Sequence, residues 1–122
     1  MVMSVRPLAT PADLDAAVVE SGRQPVVIFK HSLTCGTSAM GAEEVDDFAA
    51  TAPAVPIYRL VVQQHRDLSR EVERRFGIRH ESPQLLLLSR GEVVWSGSHF
   101  RVTAEALQHA VGAAMDAAGT PS

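Results

Sequence analysis

The chain carries one thiol and five imidazoles, and their spacing decides which chemistry is open to it. Cys35 is the only cysteine, so no internal disulfide, Cys-x-x-Cys redox pair or cysteine-rich zinc site can form within one chain. His31, His65, His80, His99 and His109 never fall three or four apart; no helix face presents two of them, and no metal site is expected. A lone thiol can still act as a nucleophile when it is ionised and reachable. Cys35 sits in the run Ser32-Leu33-Thr34-Cys35-Gly36-Thr37-Ser38, after an apolar stretch and before a helical one. There it would meet unpaired backbone N–H groups and the positive end of a helix dipole, both of which favour the thiolate. Lys30 and His31 add positive charge just upstream, and Thr34 and Ser38 are expected to donate hydroxyl hydrogen bonds to the sulfur. An isolated cysteine is more often a small buried hydrophobe. Gly36, Thr37 and Ser38 are turn formers and poor core neighbours, which turns the reading toward a reactive thiol.

The elements that must position this thiol follow from periodicity. Thr10-Pro11 opens a helix with Leu14, Ala17 and Val18 on one face and Gly22 as its stop. Residues 26–29, Val-Val-Ile-Phe, form a β-branched apolar run suited to a strand covered on both faces. A second helix is expected over 38–50, a second strand over 56–62, and a third helix capped by Asp67 with Leu68, Val72 and Phe76 in line before Gly77. Residues 84–89 and 92–98 flank Arg90-Gly91 and read as an antiparallel hairpin, and Thr103 caps a closing helix. A parallel crossover followed by a hairpin and a last helix predicts an α/β fold, a mixed central sheet with helices on both faces, in the thioredoxin-like arrangement. One domain over residues 1–122 accounts for the length.

In that arrangement the Ser82-Pro83 peptide at the mouth of a strand is expected to be cis, with the backbone of Ser82 turned toward the cysteine loop to bind a substrate segment. His31, His80, Glu81 and His99 are placed near the site without an assigned catalytic role, because a histidine at a strand end more often serves as a structural hydrogen-bonder. The acidic run Glu43-Glu44, Asp46-Asp47 and the pair Arg74-Arg75 read as solvated helix faces.

The residues also carry a resemblance. Phe29-Lys30-His31-Ser32, Cys35-x-x-Ser38, Arg66-Asp67-x-Ser69, the string Gly77-Ile78-Arg79-His80-Glu81-Ser82-Pro83-Gln84, and Ser98-His99-Phe100 together resemble the monothiol bacilliredoxin C (YtxJ) family, from about Pro25 to the last helix. The resemblance implies a thioredoxin-like protein that uses one cysteine, here Cys35, to take bacillithiol or a similar small thiol from protein mixed disulfides. The small thiol would be a co-substrate, S-thiolated proteins the partners, and no bound cofactor is implied. Family members usually have proline after the cysteine. Here Gly36-Thr37 gives Cys-Gly-x-Ser, closer to monothiol glutaredoxins, so two alternatives stand beside the leading reading: a cluster-binding module in which two chains each give Cys35 to an iron–sulfur cluster, and a redox-inert adaptor.

Composition excludes other classes. A net charge of -3 with no dense Lys/Arg cluster leaves no electrostatic footprint for nucleic acid. The longest apolar runs are far short of the ~18 residues of a spanning helix, and residues 1–7 lack a signal-peptide core, so no membrane partner and a cytoplasmic location are expected.

Overall fold

A computed structural model describes residues 5–119; part of the segment judged to lack a signal-peptide core, residues 1–4, lies outside them. Ten elements run in the order β1 (Val5–Pro7), α1 (Pro11–Glu20), β2 (Val26–His31), α2 (Gly36–Thr51), β3 (Ile57–Val61), α3 (Arg66–Phe76), β4 (Gln84–Ser89), β5 (Glu92–Ser98), a 3-10 turn (His99–Arg101) and α4 (Ala104–Gly119). The sheet order is β1-β3-β2-β4-β5. β2 pairs in parallel with β3, which demands the α2 crossover, and antiparallel with β4, which β5 then joins through the tight Arg90-Gly91 turn. Both turn residues have positive φ (55° and 79°), the geometry that two-residue hairpins require, with Gly91 supplying it at little cost.

β2 is buried almost end to end, and its two faces feed two cores. Val27 and Phe29 join Leu85, Leu87 and Ile57 beneath Val45 and Phe48 of α2 and Leu107 of α4. Val26 and Ile28 join Leu86, Leu88 and Leu60 beneath Leu14 of α1 and Leu68 and Val72 of α3. Each fully buried side chain of this size contributes about 1.5–3 kcal/mol, so both layers hold β2 rigidly beneath the cysteine loop. The alternation continues to the strand end: Lys30 follows Ile28 onto the α1/α3 face, and His31 follows Phe29 onto the α2 face.

The helix and strand expectations are met in order, with three differences in detail. Helix α2 begins at Gly36, two residues early, because Cys35 itself takes the extended N-cap conformation. Helix α3 is capped by position at His65, and Asp67 falls inside its first turn, where a carboxylate favours the dipole instead of capping the helix. The three-residue edge strand β1 and the 3-10 turn were not expected; both are too short to show a period. Thr10 does cap α1, in a reciprocal pair with Asp13, and Thr103 Oγ1 accepts the Ala106 N–H at 3.1 Å. Among the described residues no helix is long and apolar enough to cross a membrane.

Candidate functional site

Cys35 is the N-cap of α2, half-buried, at the end of the loop that leaves β2. Its side chain makes no capping hydrogen bond, so the sulfur does not compete for the first-turn N–H groups. A Cβ built on the next residue, Gly36, would meet no other part of the fold within 4 Å, so the helix start beside Cys35 is open.

The loop is clamped from β3's far end by Gln63. Its Oε1 accepts the Leu33 N–H at 3.1 Å, and its Nε2 donates to Ser32 Oγ at 2.8 Å and to Thr34 Oγ1 at 3.2 Å. This residue was missed by sequence reasoning. The available signal was a polar Gln63-Gln64 pair at the carboxyl end of a parallel strand, the edge where α/β folds gather their sites.

The three side chains expected to stabilise the thiolate are engaged elsewhere. Thr34 Oγ1 is held by Gln63 and lies 3.4 Å from Ser32 Oγ. Ser38, fully buried, accepts the Ser32 N–H at 2.8 Å and lies 2.8 Å from His31 Nδ1. Lys30 is a larger correction. Its ammonium is fully buried on the opposite sheet face, donates to the Ser69 carbonyl at 3.1 Å, and lies 3.1 Å from His80 Nδ1. Burial lowers its pKa to about 8, and Glu73 offsets part of that effect. Strand alternation defeats the sequence argument here: five residues of separation put Lys30 under α3, away from the cysteine.

His80 goes with Lys30. Its Nδ1 lies 3.3 Å from Ser69 Oγ, its backbone N–H donates to Glu73 Oε2 at 2.7 Å, and burial, then Lys30, lowers its pKa. His31 belongs to the α2 face and touches Ser38; burial and then Arg59 hold its pKa below the ordinary histidine value.

The Ser82-Pro83 peptide is cis, as expected. Pro83 packs against α2 at Gly41, where an added Cβ would lie 3.5 Å from Pro83 Cβ and 2.9 Å from Val102 Cγ1. Gln84, buried at the start of β4, donates to the Arg79 carbonyl at 2.9 Å and anchors the loop before the proline. The Pro83 carbonyl accepts the His99 N–H at 2.9 Å, and His99 Nε2 in turn lies 3.2 Å from Glu81 Oε1. Hydrogen bonds from Ser98 and His99 hold the Glu81 carboxyl below its usual pKa. Glu81, His99 and Pro83 therefore form one assembly against α2, while His80, placed with Glu81 and His99 in the sequence reading, faces away. Along α2 runs a groove of about 280 Å³ lined by Thr37, Met40, Gly41, His99 and Phe100. Met40 (59% exposed) and Phe100 (78%) make its rim apolar, and Leu33 on the cysteine loop is likewise exposed (59%).

The arrangement can perform thiol exchange: a reachable sulfur at a helix start, a fixed loop, and an apolar rim for a second molecule. A group of three or more His, Cys, Asp or Glu side chains able to hold a metal does not occur among the described residues.

Comparison with known proteins agrees with this geometry. A solved structure of a protein with a thioredoxin fold, proposed to be an oxidoreductase, superimposes with a TM-score of 0.80 at 30% identity, covering 88% of this chain and 93% of that one. Thioredoxin f from spinach chloroplast (TM-score 0.73, 23% identity, 93% and 96% covered) and thioredoxin from Trypanosoma brucei brucei (0.77, 10%, 95% and 95%) share the fold. The family described as monothiol bacilliredoxin BrxC matches residues 6–107, a span that starts in β1, takes in the cysteine loop and the cis-proline, and ends inside α4. With that span matched, the chain belongs to the monothiol bacilliredoxin BrxC family and is a thiol oxidoreductase of thioredoxin fold.

Proposed function

We propose that this chain removes a low-molecular-weight thiol of the bacillithiol kind from protein mixed disulfides, with Cys35 as the nucleophile. The Cys35 thiolate attacks the small-thiol sulfur of the mixed disulfide. That S–S bond breaks, the protein sulfur leaves as a thiolate and takes a proton from solvent, and a new disulfide joins Cys35 to the small thiol. A second small-thiol anion then attacks the adduct, releases the symmetrical disulfide and returns Cys35 to its starting state. The protein is reduced by two electrons and two small thiols are oxidised to one disulfide. The chain needs no second cysteine for this cycle.

The observation that carries the reading is the placement of the sole cysteine at the N-cap of α2 with open space at Gly36. The groove beside it supports a protein-sized substrate. Ser82, whose backbone precedes the cis-proline, and Pro83 would hold the segment flanking the mixed disulfide. Bacillithiol itself, as opposed to another small thiol, is favoured by family membership. The reaction suits a compartment that keeps small thiols reduced, which favours a cytoplasmic location.

The test is release of a labelled small thiol from a thiolated model protein. Wild-type chain should release it, Ser38→Ala more slowly because the Ser32 N–H of the cysteine loop loses its acceptor, and Cys35→Ser not at all. Release by the Cys35→Ser chain would end the proposal, and a visible iron–sulfur absorbance in purified protein would favour the cluster-binding alternative.

A further inference from the structure

Ser38 is buried, and its hydroxyl has two neighbours in the structure: the Ser32 N–H at 2.8 Å and His31 Nδ1 at 2.8 Å. A serine hydroxyl has one proton to give and two lone pairs to accept with. The Ser32 backbone N–H always occupies one lone pair. What the rest of the hydroxyl does depends on the imidazole. When Nδ1 is bare it can only accept, and the single Ser38 proton is committed to it. When Nδ1 carries a proton it donates to the second lone pair, and the Ser38 proton is free to point elsewhere. Ser38 is the third helical residue after the N-cap Cys35, the position from which a side chain reaches back over an N-cap.

We propose that His31 is a positioning residue for the thiol: protonation of its imidazole turns the Ser38 hydroxyl from His31 to Cys35 Sγ and sets a cation one hydroxyl away from the sulfur. This deepens the proposed function and rests on its reading of Cys35 as the reacting thiol. The step is a proton movement alone. The imidazole takes its proton from solvent, and nothing is oxidised or reduced.

The surroundings of His31 set where the device operates. Arg59 on β3 and Asp46 on α2 are the charged groups that act on it, and they are bonded to each other at 3.1 Å. On its own strand the Phe29 ring lies 5.4 Å away, with Arg59 Cζ 5.8 Å from that ring. Ser38 faces it from the first turn of α2, three residues after the N-cap Cys35. Burial and Arg59 outweigh the Ser38 hydrogen bond and Asp46, so the imidazole is neutral at neutral pH; with that neutral ring in its Nε2–H tautomer Nδ1 is bare, and the change in hydroxyl direction falls on the acid side.

The experiment follows alkylation of Cys35 by iodoacetamide in the full chain across the acid range, with the His31 ring titrated in parallel by NMR. In the wild type, the acid-side rate should exceed a single-ionisation curve by about tenfold, the effect of one charge-assisted hydrogen bond, with the excess appearing at the NMR midpoint of His31. His31→Asn offers an amide donor that does not titrate and should follow a single-ionisation curve. Ser38→Ala should also lose the excess. An excess that persists in either variant, or a wild-type excess displaced from the His31 midpoint, overturns the proposal, as does a wild-type profile with no excess. The parallel titration needs no variant, so a failure of either variant to fold leaves the decision intact. Alkylation involves neither small thiol nor thiolated protein. A chain that shows the excess but releases no small thiol would sink the proposed function and leave this device standing.

Discussion

Replacing Lys30 by methionine removes a buried ammonium while keeping an unbranched side chain of similar length. The ammonium is fully buried, and its pKa falls from the ordinary 10.5 to about 8 on folding, chiefly through desolvation. A tenfold change in proton affinity is worth about 1.36 kcal/mol, so the charged lysine costs the folded state roughly 3 kcal/mol at pH values below that of its folded titration. The unfolded chain binds the extra proton between about 8 and 10.5, so wild-type stability rises with pH through that window. Below the window the cost is fully present; above it the cost is gone. Against this stand the bonds to the Ser69 carbonyl and His80 Nδ1, whose loss costs about 1–2 kcal/mol. The balance predicts that Lys30→Met is neutral or more stable by about 1–2 kcal/mol near neutral pH, and that this advantage shrinks and reverses as pH climbs through the window. Urea unfolding of both proteins at a series of pH values measures the gap, and groups titrating in both cancel from the comparison. A gap that stays constant with pH would refute the reasoning, because Lys30 would then keep its ordinary proton affinity in the fold. Since the ammonium points to the α3 face, alkylation of Cys35 should be unchanged in the same variant.

Gln63→Ala removes three hydrogen bonds from the cysteine loop; it should cost about 1–2 kcal/mol and speed hydrogen exchange at the Leu33 N–H, measured by NMR. Gly41→Ala puts a methyl 2.9 Å from Val102 Cγ1 and against Pro83, and should destabilise the chain by about 1–3 kcal/mol in urea unfolding. Phe100→Ala should change stability by less than about 0.5 kcal/mol, because the ring is mostly exposed, while slowing reaction with a thiolated protein more than with a small disulfide. Equal slowing with both substrates would remove Phe100 from protein recognition.

Much of the fold is legible in local signals. The buried run at 26–29, the Arg90-Gly91 turn and the Thr10-Pro11 helix start each rest on neighbours in the chain, and each appears where its chemistry demands. The cysteine's place at a helix start was legible for the same reason. The polar partners were not. Lys30 and His31 are adjacent in sequence yet belong to opposite layers, so their shared proximity to Cys35 misled the charge argument for Lys30. Gln63 reaches the loop across 29 to 31 residues of chain, a contact that no period or spacing encodes. Ser38 lies one helical turn from Cys35, which points from sequence to a donor for the sulfur; the strand end that brings His31 and Ser32 against it is set by tertiary packing. Glu81, Pro83 and His99 meet because the cis-proline and the 3-10 turn lie at facing ends of the paired strands β4 and β5, where Gln84 opposes Ser98.

The central claim is that Cys35 accepts the small thiol itself, and the mass of the chain after one turnover tests it most directly. Mixed with a protein carrying a bacillithiol mixed disulfide, and with no free small thiol to reset it, the wild-type chain should gain the mass of one small thiol. Peptide mapping should place that mass on Cys35, and the protein substrate should lose the same mass. A chain of unchanged mass, or one joined by a disulfide to the substrate protein in place of the small thiol, would contradict the account.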